Sequence, residues 1–186
     1  MVDRARIAEA MQQIIDAIGE DPQREGLAET PRRIADMYAY FFSGLERDPL
    51  EVLRIGFQGE KDEPVILRDI PFYSLCEHHF LPFYGVAHVG YIPNGRLVGI
   101  SKIARALDIL ARRPQLQERL TRQLADCIVE ALDADGVGVV VEAEHLCLSM
   151  RGVHKPGTRV VTFALQGPFR KGTFVRSEFL ALVQGK

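Results

Sequence analysis

The stretch Ser74-Leu75-Cys76-Glu77-His78-His79-Phe80-Leu81-Pro82 sets a thiol and two imidazoles within four residues, at the end of a strand expected to open at Val65. A second piece, Glu144-His145-Leu146-Cys147, lies much further along the chain. Together they hold two Cys and three His, where the whole chain has 3 Cys and 5 His. Zinc prefers thiolate and imidazole donors in a tetrahedral array. Cys76 and His79 have C-x-x-H spacing, which one tight turn can close around an ion. His145 and Cys147 are two apart in an apolar, alternating run, and side chains two apart on a strand share a face. A strand expected from Val137 to Met150 would then present both groups to one pocket.

The number of donors bears on the chemistry. A closed structural zinc site takes four protein ligands. Here the two pieces supply only two thiols, and no C-x-x-C occurs. If Cys76, one His of the 78–79 pair and Cys147 bind zinc, a fourth position is left for water, the pattern of a catalytic metal. Two His then remain as proton carriers near neutral pH. The blander alternatives are a structural Cys2His2 site, or core cysteines with unrelated surface histidines.

A chain of 186 residues suits one domain with a helical N-terminal appendage. Hydrophobic residues make up 47% and charged residues 26%, the balance of a soluble globular protein. A net charge of −2 argues against general nucleic-acid binding. No apolar run is long enough to span a membrane, and the N-terminus lacks the apolar segment of a signal peptide. Odd cysteine number without such a signal points to a reduced, cytoplasmic setting.

Ile7, Met11, Ile14, Ile15 and Ile18 recur at helical spacing, which predicts a helix over residues 3–18. Thr30-Pro31 predicts a second start, with Thr30 as N-cap and Pro31 first in the helix. Residues 1–58 thus form an N-terminal helical region, and the polar run 59–64 links it to a strand-rich region over 65–186. There the expected order is two strands, two helices, two strands and a closing helix over 173–183. An antiparallel sheet with helices on one side follows, an α+β fold. Cys127, beside Ile128 on the second of the paired helices, is read as a buried, inert thiol.

Ser101-Lys102-Ile103-Ala104-Arg105 opens the first of those helices. Free N–H groups, the positive dipole end, a hydroxyl and two cations on one face suit a phosphate. A solvated basic face with Ser101 as an ordinary cap is the plainer account. Arg151 adds a cation four residues beyond Cys147, and Gln117-Glu118 begins the next helix.

These residues resemble the GTP cyclohydrolase I family. The likeness runs in order through Gly19-Glu20-Asp21-Pro22, Arg24-Glu25-Gly26-Leu27, Thr30-Pro31 and Arg33, then Cys76-Glu77-His78-His79 and Gly90-Tyr91-Ile92-Pro93. It continues through Gly99-Ile100-Ser101-Lys102, Arg105, Arg113-Pro114-Gln115, Gln117-Glu118-Arg119-Leu120, His145, Cys147, Arg151-Gly152-Val153 and Glu178-Phe179-Leu180. The resemblance implies the tunnelling fold, in which ββααββ units from several subunits join their sheets into a barrel. It implies a homo-oligomer, typically a decamer of two stacked pentamers, with active sites at subunit boundaries. GTP is the implied substrate, opened to give formate and 7,8-dihydroneopterin triphosphate, the first step of tetrahydrofolate and pterin synthesis.

The resemblance also implies roles. Cys76, His79 and Cys147 match zinc ligands, and His78 and His145 an acid–base pair. Glu118 matches the carboxylate that grips guanine, with Gln117 beside it. Ser101, Lys102, Arg105 and Arg151 match triphosphate contacts, and Arg33 adds one from the N-terminal region. Where some members carry a basic residue three after this Arg, the chain has Asp36, which implies one phosphate contact fewer. Alternatives within the fold are the nitrile reductase of queuosine synthesis, whose Glu-Ser-x-Lys-type motif is not visible, and a non-catalytic zinc- or pterin-binding protein.

Overall fold

The structure, a computed structural model, describes residues 2–59, 63–171, 173–183 and 185. Residues 60–62 of the expected linker lie outside the described residues. Helix α1 (Arg4–Ala17) starts where Asp3 accepts a hydrogen bond from the Arg6 N–H at 3.1 Å. Helix α2 (Thr30–Phe41) carries Pro31 in its first turn. Thr30 is already helical and is not the cap, because the preceding turn feeds straight in: the Thr30 N–H donates to Leu27 O and the Arg33 N–H to Glu29 O. The two helices pack as a hairpin. The short α3 (Pro49–Leu53), capped by Asp48, inserts Leu53 into the main core.

Strand β1 (Gly56–Gln58) later pairs with β4. Strand β2 (Val65–Cys76) pairs antiparallel with β3 (Pro82–Ile92), across the turn that carries the two His. After β4 (Arg96–Val98) come helix α4 (Ile100–Ala111), the two-residue β5 (Pro114–Gln115), helix α5 (Gln117–Leu132), strand β6 (Gly136–His145) and one helical turn, α6 (Leu146–Ser149). Strand β7 (Arg159–Gln166), α7 (Pro168–Lys171) and α8 (Thr173–Val183) complete the chain. The main sheet has the order β5-β2-β3-β6-β7. It is antiparallel except where β5 runs parallel to the end of β2. The fold is α+β.

Alternation along the strands decides what each face meets. Ala87, Val89 and Tyr91 of β3 and Val139, Val141 and Ala143 of β6 face α4 and α5, against Ile103, Leu107, Leu110, Leu120, Leu124 and Ile128. Each Val, Leu or Ile side chain among them contributes about 1.5–3 kcal/mol by leaving water. The intervening residues face the other way, and there the expectation of helices on one side fails. Val140 packs with Phe169 of α7 and Phe179 of α8 in a second cluster. The paired Gly90 and Gly138 make that possible. A Cβ on Gly138 would lie 2.8 Å from Phe179 and 2.9 Å from Phe169. Cys127 is half-buried on α5 where full burial was expected, and burial, with Glu130, Asp48 and Asp126 nearby, pushes its thiol up to about 11, which disfavours the thiolate.

Candidate metal centre and active site

Strand β2 delivers Cys76 into a tight reversal. The Cys76 N–H donates to Leu81 O at 2.9 Å, and the Phe80 N–H returns to Cys76 O at 2.8 Å. Phe80 takes a left-handed φ of 54°, which lets the chain turn within these few residues. The Glu77 N–H donates to Gln115 O at 3.0 Å, tying the turn to β5. His79 is thereby folded back over Cys76.

The second piece arrives differently from expectation. Strand β6 ends at His145, and Cys147 sits in the helical turn α6, so the two do not share one strand. The Glu144 carboxylate causes the curl: it accepts from the Ser149 hydroxyl at 2.8 Å and from the Gly157 N–H at 3.2 Å. Those bonds hold its carboxyl below the usual carboxylate range. The curl still brings Cys147 to the turn. One ligand atom each from Cys76, His79 and Cys147 lies within 4.8 Å of the others, a cluster that could hold a metal ion.

The donor chemistry fits zinc. Zn–S bonds of 2.3 Å in a tetrahedron hold donor atoms roughly 3.7 Å apart, at most about an ångström tighter than here. Burial and the neighbouring Cys76 sulfur raise the Cys147 pKa, so this thiol keeps its proton in the bare site and would release it to a bound cation. Three protein donors leave one tetrahedral position over.

His145 stands beside this cluster in a fixed orientation. Its ring stacks on Phe83 with centroids 4.7 Å apart and planes 4° from parallel. Its Nε2 lies 2.7 Å from Gln117 Oε1. The Gln117 amide nitrogen donates to Val141 O at 3.0 Å, Val160 O at 2.9 Å and Thr162 Oγ1 at 3.1 Å. Two of those partners are carbonyls, which only accept, so the amide oxygen must face His145. His145 therefore donates from Nε2 and keeps Nδ1 as a lone pair when neutral. Burial lowers its pKa, against a smaller opposing pull from Glu118.

Residues 7–184 match the family described as GTP cyclohydrolase I. The chain belongs to the GTP cyclohydrolase I family. Among its relatives, "GTP cyclohydrolase 1" of Dehalococcoides mccartyi strain 195 is 58% identical over all of both chains. That of Caldanaerobacter subterraneus subsp. tengcongensis is 54% identical, also over all of both chains. That of Geobacillus kaustophilus is 54% identical over 98% of each.

The other residues singled out by resemblance to the GTP cyclohydrolase I family divide into two groups. Glu118 is exposed in the first turn of α5, next to Gln117, and Arg151 is close enough to Cys147 to favour its thiolate. His78 is exposed, its ring 6.2 Å from that of His79. Gln117 is buried, and its side chain is spent on His145 and the sheet. Ser101, Lys102 and Arg105 form the second group. Helix α4 begins at Ile100 with Gly99 as N-cap, so Ser101 is not the cap; its hydroxyl is exposed. The far end of α4 is the end at the metal cluster: Ala111 O accepts from Ser74 and Leu110 O from Gln115. At about 1.5 Å per residue, α4 sets Lys102 roughly 15 Å from that end. Arg33 is exposed on α2. Sequence reasoning missed Phe83 under His145 and the bidentate pair Glu77–Arg119, and only the strand alternation of Phe83 pointed inward.

Proposed function

We propose that this chain is a zinc-dependent GTP cyclohydrolase I. It would hydrolyse the imidazole ring of GTP, release formate and close the new ring to 7,8-dihydroneopterin triphosphate, opening tetrahydrofolate and pterin synthesis in the cytoplasm. The observation that carries the reading is the convergence of Cys76, His79 and Cys147 beside an oriented His145 and the start of α5, in a chain of this family. Zinc there would supply a Lewis acid and a water whose pKa falls to about 7.

The remaining steps belong to the chain's own groups. Glu118 would accept from guanine N1–H and the exocyclic amine, and so set C8 against the metal. His145 would take a proton at Nδ1 while Gln117 holds Nε2–H. His78, unconstrained at the mouth, would exchange protons with N7 and with the ribose during its rearrangement. Ser101, Lys102, Arg105, Arg151 and Arg33 would neutralise the triphosphate. Gln117, its amide fully engaged, would act on the substrate only through the orientation of His145.

The assembly reading is a tunnelling-fold homo-oligomer, a decamer in the family pattern. Its support is the open sheet: β7 is one edge, and β5 covers only Leu75 and Cys76 of the other. Exposed Val161 and Phe163 on β7 and Tyr73 on β2 are the apolar faces such an extension would cover. Incubation with GTP, read as formate release and pterin fluorescence, tests the activity. Cys147→Ala should stay folded and lose zinc by elemental analysis; full occupancy would remove Cys147 from the site.

A further inference from the structure

Glu77 and Arg119 are each interleaved with groups of the proposed site and have no role in it so far. Glu77 lies between Cys76 and His78. Arg119 follows Glu118 in the first turn of α5. The two meet in a bidentate pair, Arg119 Nη1 to Glu77 Oε2 at 2.5 Å and Nη2 to Oε1 at 3.0 Å. The side chains are only 36% and 30% exposed. The hydrogen bonds from Arg119 hold the Glu77 carboxyl below the usual carboxylate range. A fork-to-fork arginine–carboxylate contact fixes distance and orientation together, which a single-point ion pair does not.

The rest of the turn has few other anchors. Its backbone bonds close it on itself and on Gln115. Phe80 packs edge-on against Phe42, with centroids 5.5 Å apart, and against Tyr38 at 6.4 Å. His78 and His79 make no side-chain hydrogen bond among the described residues. Among the described residues, the fork is thus the one polar side-chain link between this turn and α5, the helix that carries Gln117 and Glu118.

We infer that Glu77 and Arg119 are positioning residues: their fork locks the Cys76–His79 turn to the first turn of α5, so that the metal donors, His145 and the Glu118 carboxylate keep one fixed spacing. The inference rests on the metal-site reading above. Partners that orient metal ligands are typically worth 10–100-fold in metal affinity or activity. A purely electrostatic role makes the opposite forecast for one variant. Removing the Arg119 cation beside a Zn2+ would tighten binding, whereas loss of positioning loosens it.

The experiment is competition for Zn2+ between a chromophoric chelator and the full-length chain, with thermal melting alongside. Wild type should bind one Zn2+. Arg119→Ala and Glu77→Gln should each bind it roughly 10-fold or more weakly, and GTP turnover should fall in kcat more than in KM. The exchanged pair, Glu77→Arg with Arg119→Glu, should recover most of the lost affinity, which a merely structural loss would not do. Zinc binding by Arg119→Ala as tight as wild type, or tighter, overturns the inference. If Arg119→Ala does not fold, Glu77→Gln decides, and wild-type affinity there overturns it equally. A wild type that binds no Zn2+ instead overturns the metal reading itself.

Discussion

The Gln117 carboxamide has one orientation available. Turned over, it would point its oxygen at Val141 O and Val160 O and its nitrogen at His145, losing both donations into those carbonyls. Thr121 and Thr162, 2.6 Å apart, close the same network, and Thr121 donates to Gln117 O at 2.7 Å. A buried group left without its partner costs about 1–3 kcal/mol, so the network holds the His145 tautomer firmly. Gln117→Leu should lower stability by about that amount and slow turnover roughly tenfold or more, with zinc content unchanged. That stays short of the 10²-fold or greater loss expected for His145→Ala. Turnover equal to wild type in Gln117→Leu would show that His145 orients itself. At this scale the candidate metal donors were legible in sequence as thiols and imidazoles at ligand-like spacing, whereas Glu118 stood out only through the family resemblance. The task of Gln117 was not legible, because it arises only where α5, β6 and β7 meet. Glu118 belongs here too. Its carboxylate suits the two adjacent donors of guanine, which adenine does not offer, so ATP should be turned over orders of magnitude more slowly than GTP. Comparable rates would contradict that role.

Elements were legible where periodicity was strong. The spacing of α1, α2, α4 and α5 and the alternation of β2, β3, β6 and β7 all appear close to their expected positions. What escaped was set by single polar contacts. Strand β6 stops at His145 because Glu144 gathers Ser149 and Gly157 around itself, and no apolar pattern records that. The bulge in β2 between Leu67 and Ile70 is of the same kind. Asp69 adopts a φ of 56° there, and its N–H donates to Nδ1 of the buried His88 on β3 at 3.2 Å. Burial holds the His88 pKa below 6.5, with Arg68 adding to the shift and Asp69 and Glu142 opposing it; Arg176 lines the same cavity. The unfolded chain therefore takes up this proton first as pH falls through about 6.5. Stability contributed by neutral His88 is present above that pH and is lost on acidification toward the lower folded-state value. Protonation also removes the acceptor that Asp69 uses. Wild type should thus lose more stability between pH 7.5 and pH 5 than His88→Asn, whose amide oxygen still accepts. Urea midpoints at the two pH values measure this, and equal losses would mean that His88 takes up its proton in the folded chain as readily as in the unfolded one.

At the scale of the whole molecule, the proposed site residues fall into two groups set apart on one chain. The metal cluster, His145 and Glu118 gather where β2 turns into β3. Ser101, Lys102 and Arg105 begin α4, roughly 15 Å from the end of that helix that meets the metal cluster. Such a division suits a ring in which each interface joins one chain's metal end to its neighbour's α4 start, although no local pattern in the sequence announces it. Lys102→Ala and His145→Ala should each be weak as homo-oligomers. If one working site takes the two residues from separate chains, random co-assembly returns both to about a quarter of sites, because a closed ring repeats a single interface. Activity of the co-expressed mixture should then rise well above that of either variant alone. If one chain supplies both, every site in the mixture still lacks one of them. Mixed oligomers, verified with differential tags, that gain no activity would therefore place Lys102 and His145 of one site on the same chain.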